Sequence, residues 1–320
     1  MSSAFRRRDC PMCGARTACE EVRADHRAET MGVEELRPFW EGLFREKPFF
    51  SYHRCAICQL LYCPFFFRQD ELASLYARMA PNMEVVASDA IAATQRGYFT
   101  HAAARAEWGG GYLEIGPDVG HIVREAARAD AFAHFWLFEP NRAIHGELRD
   151  AVAGRPATLL PGMDDLSAVP DGSVGLAVMV HVLDHLLDPL AMLEDIRAKL
   201  RPGGTLMIVT HDERSLLRRV MGKSWPPFCL QHPALFNPAT MRSLLTRAGF
   251  ADVDVARSRN YFPLDFVARQ AAWTMRLNPP HWLRLPRRAI GLRLGNIITL
   301  ATVPHASLVA PRHKRLSVPS

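Results

Sequence analysis

The sequence has no apolar run near the roughly 18 residues that a bilayer-spanning helix requires, so no membrane-spanning helix is expected. Its N-terminus, MSSAFRRRDC, carries arginines with no apolar stretch behind them. A secretory signal is therefore not expected, and the chain reads as cytoplasmic. There is no internal repeat and no low-complexity tract. Charge is not extreme: 39 Lys+Arg against 33 Asp+Glu give +6, with a pI near 9.1. That excess mildly favours an anionic partner, such as a phosphorylated or nucleotide-linked substrate, a membrane surface or RNA. A merely solvated basic surface explains it equally well, and part of it sits in PRHKR at 311–315. With 48% hydrophobic and 22% charged residues over 320 positions, the composition is that of a globular protein. It suits one large domain and a small one.

Cysteine is sparse and odd in number, at seven. Four of these form two C-x-x-C pairs, Cys10/Cys13 and Cys55/Cys58. In a cytoplasmic chain that spacing points to metal or redox chemistry rather than to disulfides. Four thiolates make a closed tetrahedral set, which suits structural zinc. The 41 residues between the pairs (14–54) exceed what a compact ribbon needs, and Cys19 and Cys63 are spare.

The cysteine-rich part ends near residue 68. Helices are expected at 70–79 and 89–107, and the glycines at 109–111 then punctuate the chain. Beyond them short apolar strands alternate with amphipathic helices. Strands are expected at 111–115, 134–139, 157–160, 174–180 and 204–210, with helices at 119–129, 141–152 and 189–200. A helix at 238–248 and strands at 251–257 and 296–303 follow, with an insertion over 260–292. This alternation predicts an α/β fold: a largely parallel sheet with helices on both faces.

YLEIGPDVG at 112–120 is a strand running into a glycine turn and a helix. Gly116 permits a tight turn and Gly120 close helix packing. The next strand ends in Glu139, 23 residues after Gly116, where a carboxylate can accept both ribose hydroxyls. Asp118 stands where a glycine is common. It would repel the pyrophosphate of a dinucleotide, but not S-adenosylmethionine, which carries a sulfonium and an ammonium. A second role, capping the helix, is open to the same residue.

These segments resemble class I S-adenosylmethionine-dependent methyltransferases, most clearly over 112–210. YLEIGPDVG is similar to the family's first motif, keeping Glu114, Gly116 and Gly120 but placing Asp118 at the middle glycine. FEP at 138–140 is similar to the second motif, with Glu139 as ribose ligand. GMDDL at 162–166 is similar to the third, which implies that Asp164 meets the adenine amine. PDGSVGLAVMVHVLDHLLDP at 170–189 resembles the fourth, with Gly175 replacing the usual aspartate. LRPGGTLMIVT and LFNPATMRSLLTRAGFADVDV look like the elements that follow. The resemblance implies a Rossmann-like domain at 109–305, preceded by a zinc-ribbon-like module at 1–68 and a helical connector at 69–108, and followed by a basic tail at 306–320.

A hydroxyl or carbon acceptor must lose a proton, and histidine suits that near neutral pH. His181, His211 and His232 are the candidates, the first two lying just beyond strands. His185 occupies a position where relatives commonly carry a structural histidine. The aromatics of LYCPFFF and Trp225-Pro-Pro-Phe228 are expected to pack an interface. The order of modules resembles enzymes that methylate sugars or secondary metabolites in bacterial pathways, so a small-molecule acceptor is expected. C-methylation of a nucleotide sugar is less expected, since those relatives carry a further C-terminal domain. Two alternatives are an RNA methyltransferase gripping RNA through the zinc module and a non-catalytic relative. The acids of 15–35 weigh against RNA. WLRLPRRAIGLRL at 282–294, with Arg284, Arg287, Arg288 and Arg293, is weighed as a peripheral contact to anionic membrane or substrate against a helix packed on the domain.

Overall fold

The computed structural model describes residues 4–40, 47–76, 88–106, 108–163, 165–274 and 289–305. The N-terminal part is built from short strands. β1 (Phe5–Arg7) pairs antiparallel with β5 (Phe65–Phe67). β2 (Ala18–Val22), β3 (Tyr52–Cys55) and β4 (Leu61–Tyr62) form a second antiparallel set, with α1 (Val33–Leu36) between β2 and β3. Two helices follow, α2 (Gln69–Tyr76) and α3 (Ser88–Ala103).

The alternating half of the chain then gives β6 (Gly111–Ile115), α4 (His121–Ala129), β7 (Phe135–Phe138), α5 (His145–Ala151), β8 (Ala157–Leu160), β9 (Val174–Val180), α6 (Pro189–Lys199) and β10 (Leu200–His211). Next come α7 (Leu216–Met221), β11 (Ala234–Leu235), α8 (Pro238–Arg247), β12 (Ala251–Arg257), β13 (Asn260–Pro263), α9 (Leu264–Thr274), β14 (Ala289–Leu292) and β15 (Asn296–Thr302). Seven strands join in the order β12-β15-β10-β9-β6-β7-β8. β8, β7, β6, β9 and β10 are parallel, and β15 is antiparallel to both β10 and β12. This is the Rossmann-like, largely parallel sheet expected from the sequence.

Side-chain alternation explains the two covered faces. Leu113, Ile115, Ala177, Met179, Leu206 and Ile208 point into a core shared with α6 and α8. Tyr112, Leu176, Val178, Met207 and Val209 point the other way, against α3, α4 and α5. The expected strand at 204–210 is longer, 200–211, with a register shift between Leu200 and Thr205. The helix therefore stops at Lys199, before the glycines. Gly175 also has a steric reason: a Cβ there would lie 1.9 Å from the Gly109 carbonyl oxygen, so the usual aspartate does not fit.

The N-terminal part is tied to the sheet domain in three ways. β11 pairs with β4 and so extends its sheet. Phe49, Phe50, Tyr52, Phe66 and Phe67 share one core with Trp225 and Phe228. Arg54 holds the buried Glu213 through two nitrogens at 2.8 and 3.0 Å. Within 260–292, β13 and β14 form an antiparallel pair beside α9. Residues 289–292 are thus strand, not helix. Trp282, Arg284, Arg287 and Arg288 lie outside the described residues, as does the tail 306–320. Among the described residues no helix is long and apolar enough to cross a membrane.

Candidate active site

β6 lies between β7 and β9, where the strand order reverses, so a crevice opens beyond the carboxyl ends of these strands. Three of the expected cofactor residues, Gly116, Asp118 and Gly120, lie in its first turn. After β6, Gly116 has φ +66°, and a Cβ there would meet Val182 Cγ2 at 2.7 Å. Asp118 has φ +50°. Its backbone therefore keeps the left-handed conformation a glycine would favour, and aspartate is among the few other residues that tolerate it. Asp118 does not cap the helix: α4 starts at His121, with Gly120 at the N-cap and no side-chain cap. This corrects the capping role considered from sequence. A Cβ on Gly120 would lie 2.9 Å from both Ala151 Cβ and Leu148 Cδ2, so this glycine permits the packing of α4 on α5.

Glu139 follows β7 and is nearly buried. Its Oε2 accepts the Asp118 backbone N–H at 3.1 Å and its Oε1 accepts the Asn141 N–H at 2.8 Å. The two bonds fix the carboxylate, and each oxygen retains a second lone pair. Glu114, inside β6, accepts from Tyr112 Oη at 2.5 Å. Burial pushes the Glu114 carboxyl up to about 8. Burial, then the charge of Glu139, pushes Asp118 up to about 7. Asp164 lies outside the described residues.

Raised carboxyl values have a definite sign in stability. The fold keeps protons that the unfolded chain has released above pH ~4, so these groups reduce the stability of the ligand-free protein as pH rises from about 4 to about 8. Asp118→Asn should therefore raise the melting temperature more at pH 8 than at pH 5. The gain at pH 8 should be on the order of 1 kcal/mol, roughly 2–4 °C for a domain of this size. Equal shifts at the two pH values in thermal melts would contradict this.

The expected histidines come together at the ends of β9 and β10, with residues the sequence did not single out. His181 follows β9 at φ +54°, and its ring lies 4.5 Å from that of His211. His211 Nδ1 is 2.6 Å from Asp184 Oδ2. His232 Nε2 faces His185 Nε2 at 3.2 Å, and the His211 and His232 rings are 5.1 Å apart. Tyr76 Oη is 2.7 Å from His185 Nδ1. Cys229 Sγ is 3.4 Å from His232 Nδ1. Asp184 is completely buried, yet burial is outweighed by His211, and its carboxyl is held well below the usual range. His181 and His185 are pushed down to about 3, first by burial and then mainly by neighbouring imidazoles. Burial also lowers His211, against the attraction of Asp184. In His232 burial is overcome by the Cys229 thiol and Asp184, which raise it. Asp184 carries a negative charge, fixes the Nδ1–H tautomer of His211 and leaves Nε2 as a proton acceptor. It escaped the sequence reading because one aspartate beside a histidine-rich turn looks like ordinary turn chemistry.

The four cysteines also meet. Cys10 Sγ lies 3.4 Å from Cys58 Sγ, and Cys13 Sγ 3.6 Å from Cys55 Sγ. All four sulfurs fall within 4.8 Å of one another. A tetrahedral zinc with ~2.3 Å bonds spaces its sulfurs about 3.8 Å apart, so the set fits zinc. Cys19 is exposed and Cys63 is buried away from the group, with its Sγ 3.5 Å from the Phe50 carbonyl.

A family model described as "Methyltransferase domain" matches residues 67–255, more than half of the chain. No curated protein matches the sequence. Solved structures are similar at low identity. One is a chain from the Haloferax volcanii complex of the Trm112 methyltransferase activator with a methyltransferase: 19% identity, 74% of this chain and 100% of that chain covered, TM-score 0.49. Another is a SAM-dependent methyltransferase of Archaeoglobus fulgidus: 13% identity, 65% and 94% covered, TM-score 0.44. A third is the [4+2]-cyclase SpnF: 20% identity, 66% and 81% covered, TM-score 0.45. These likenesses say nothing of substrate.

Proposed function

The chain belongs to the methyltransferase-domain family, as a class I S-adenosylmethionine-dependent methyltransferase, and on that premise we propose that it methylates a small molecule, a sugar or secondary-metabolite precursor. The observation that carries this reading is the bond between buried Asp184 and partly exposed His211 at the carboxyl end of the sheet, a proton acceptor placed beside the crevice. Trp225 and His232 of the 225–232 segment pack against His211, and Tyr76 of α2 reaches the adjoining His185. That packing favours a small acceptor over RNA. We take 1–68 as the zinc-ribbon-like module, 69–108 as its connector and 109–305 as the catalytic domain.

The cofactor reading rests on the turn after β6, where Gly116 packs against Val182 too closely for a Cβ and Glu139 accepts the Asp118 N–H. When bound, the cofactor supplies a methyl group on a positively charged sulfur. Glu139 would accept the ribose hydroxyls with its remaining lone pairs. Asp118, beside it, would face positive charge, while Glu114, Gly116 and Gly120 shape the turn. Asp164 remains the residue proposed for the adenine amine. His211 would take the acceptor's proton at Nε2, with Asp184 holding Nδ1–H and balancing the imidazolium formed. The rings of His181 and His232 both pack on that of His211, so both stay in the proposed catalytic set.

Incubating cell extract with the protein and labelled S-adenosylmethionine tests the reading. A small metabolite gaining one methyl group is expected, and label entering only RNA would contradict it. Glu139→Ala should weaken S-adenosylmethionine by about 1–3 kcal/mol, or roughly 5- to 150-fold, because a charged acceptor and the pin of the turn are both lost. Calorimetry reads this, and unchanged affinity would remove Glu139 from the site. Cofactor affinity should also rise with pH through about 7, since a cation prefers ionised Asp118. In Asp118→Asn that rise should flatten.

A further inference from the structure

We propose that His185 Nε2, His232 Nε2 and Asp184 Oδ1 form a binding site for a divalent transition-metal ion of the iron-to-zinc row, separate from the four-cysteine set. The ligand atoms of these three residues lie within 4.8 Å of one another. The two Nε2 atoms are 3.2 Å apart. Two ~2.0–2.1 Å metal–nitrogen bonds at a near-tetrahedral angle span about 3.3 Å, so the pair has the bite of two ligands on one ion.

The outer partners of both rings leave those nitrogens facing one another. His232 Nδ1 lies 2.7 Å from the Pro227 carbonyl, which only accepts, so Nδ1 carries a hydrogen. His185 Nδ1 lies 2.7 Å from Tyr76 Oη, whose own proton can turn to the Gln231 carbonyl at 3.5 Å. A histidine that donates one ring N–H to a carbonyl or hydroxyl and presents the other nitrogen is the usual outer-shell pattern of a metal ligand. Two Nε2 lone pairs at 3.2 Å repel unless a proton or a cation lies between them. Asp184 supplies the second, independent sign. It is fully buried, and its Oδ1 has no hydrogen-bond partner among the described residues, while Oδ2 is held by His211. A buried carboxylate oxygen without a donor is costly, and a cation resolves it.

Two imidazoles and one carboxylate suit iron, cobalt, nickel or zinc rather than magnesium or calcium. Three protein ligands leave a position for an oxygen of the acceptor. Only that last step rests on the methyl-transfer reading; metal binding itself does not.

The test is cobalt(II) titration of the full-length, zinc-loaded protein, followed by dialysis and metal analysis. The expected result is one further equivalent per chain, with weak visible bands and no thiolate charge-transfer absorption. His185→Gln and His232→Asn should each lose that equivalent and keep the cysteine-bound zinc, which also reports that they are folded. Loss of the metal with retained fold supports the site whether or not any methyl acceptor is found. A wild-type protein that takes up no second equivalent would overturn the proposal. So would a second equivalent that survives in both variants.

Discussion

Replacing His211 by asparagine is expected to lower kcat for methyl transfer by about 10²- to 10⁴-fold, the range for removing a general base. S-adenosylmethionine affinity should stay near that of the parent. Asparagine can still donate an N–H to Asp184, so the buried carboxylate keeps a partner and the fold is spared. What it lacks is the second nitrogen that takes the proton. Neutral His211 is suited to that step because burial lowers its proton affinity while Asp184 restores part of it. The measurement is single-turnover formation of S-adenosylhomocysteine with the acceptor identified from extract, beside calorimetry for the cofactor. An unchanged kcat would remove His211 from the chemistry. A loss confined to cofactor affinity would make it a binding residue instead.

The second large effect concerns the cysteines. Changing Cys10 and Cys13 to serine should leave about one zinc fewer per chain than in the parent and melt the N-terminal module. Metal binding of this kind is coupled to folding and contributes on the order of 10 kcal/mol in isolated zinc fingers. The consequence should reach the active site. Tyr52 Oη donates to the His232 carbonyl at 2.7 Å, the Cys63 N–H donates to the Pro233 carbonyl at 2.9 Å, and β4 pairs with β11. A disordered module would therefore release His232. The expected result is a lower melting temperature and lower methyl transfer, with cofactor affinity less affected, because Glu139 and the packing of α4 on α5, not the module, hold the turn after β6. Full metal content in freshly purified, reduced double variant would contradict the zinc assignment.

Legibility followed range. Strands buried on both faces are near-continuous apolar runs, and 111–115 and 174–180 are found where the sequence places them, as is the less buried edge strand 157–160. The glycine turn and Glu139 were legible because both are local to strand ends. β11 was not, since two residues, Ala234 and Leu235, carry no period; only their partner β4 makes them a strand. Asp184 and Tyr76 were missed for a related reason. Tyr76 meets His185 across 109 positions of sequence, and nothing at either position marks the pair. The role of position 118 was half legible: the chemistry of a carboxylate could be read, but not the left-handed backbone that keeps the turn's shape without glycine.

The most direct test of the account is calorimetric titration of the purified chain with S-adenosylmethionine and, separately, with NADH. The account predicts one S-adenosylmethionine site per chain, weakened in Glu139→Ala, and no heat from NADH, because a pyrophosphate at this turn would meet Asp118 and Glu139. Saturable NADH binding with no response to S-adenosylmethionine would contradict it.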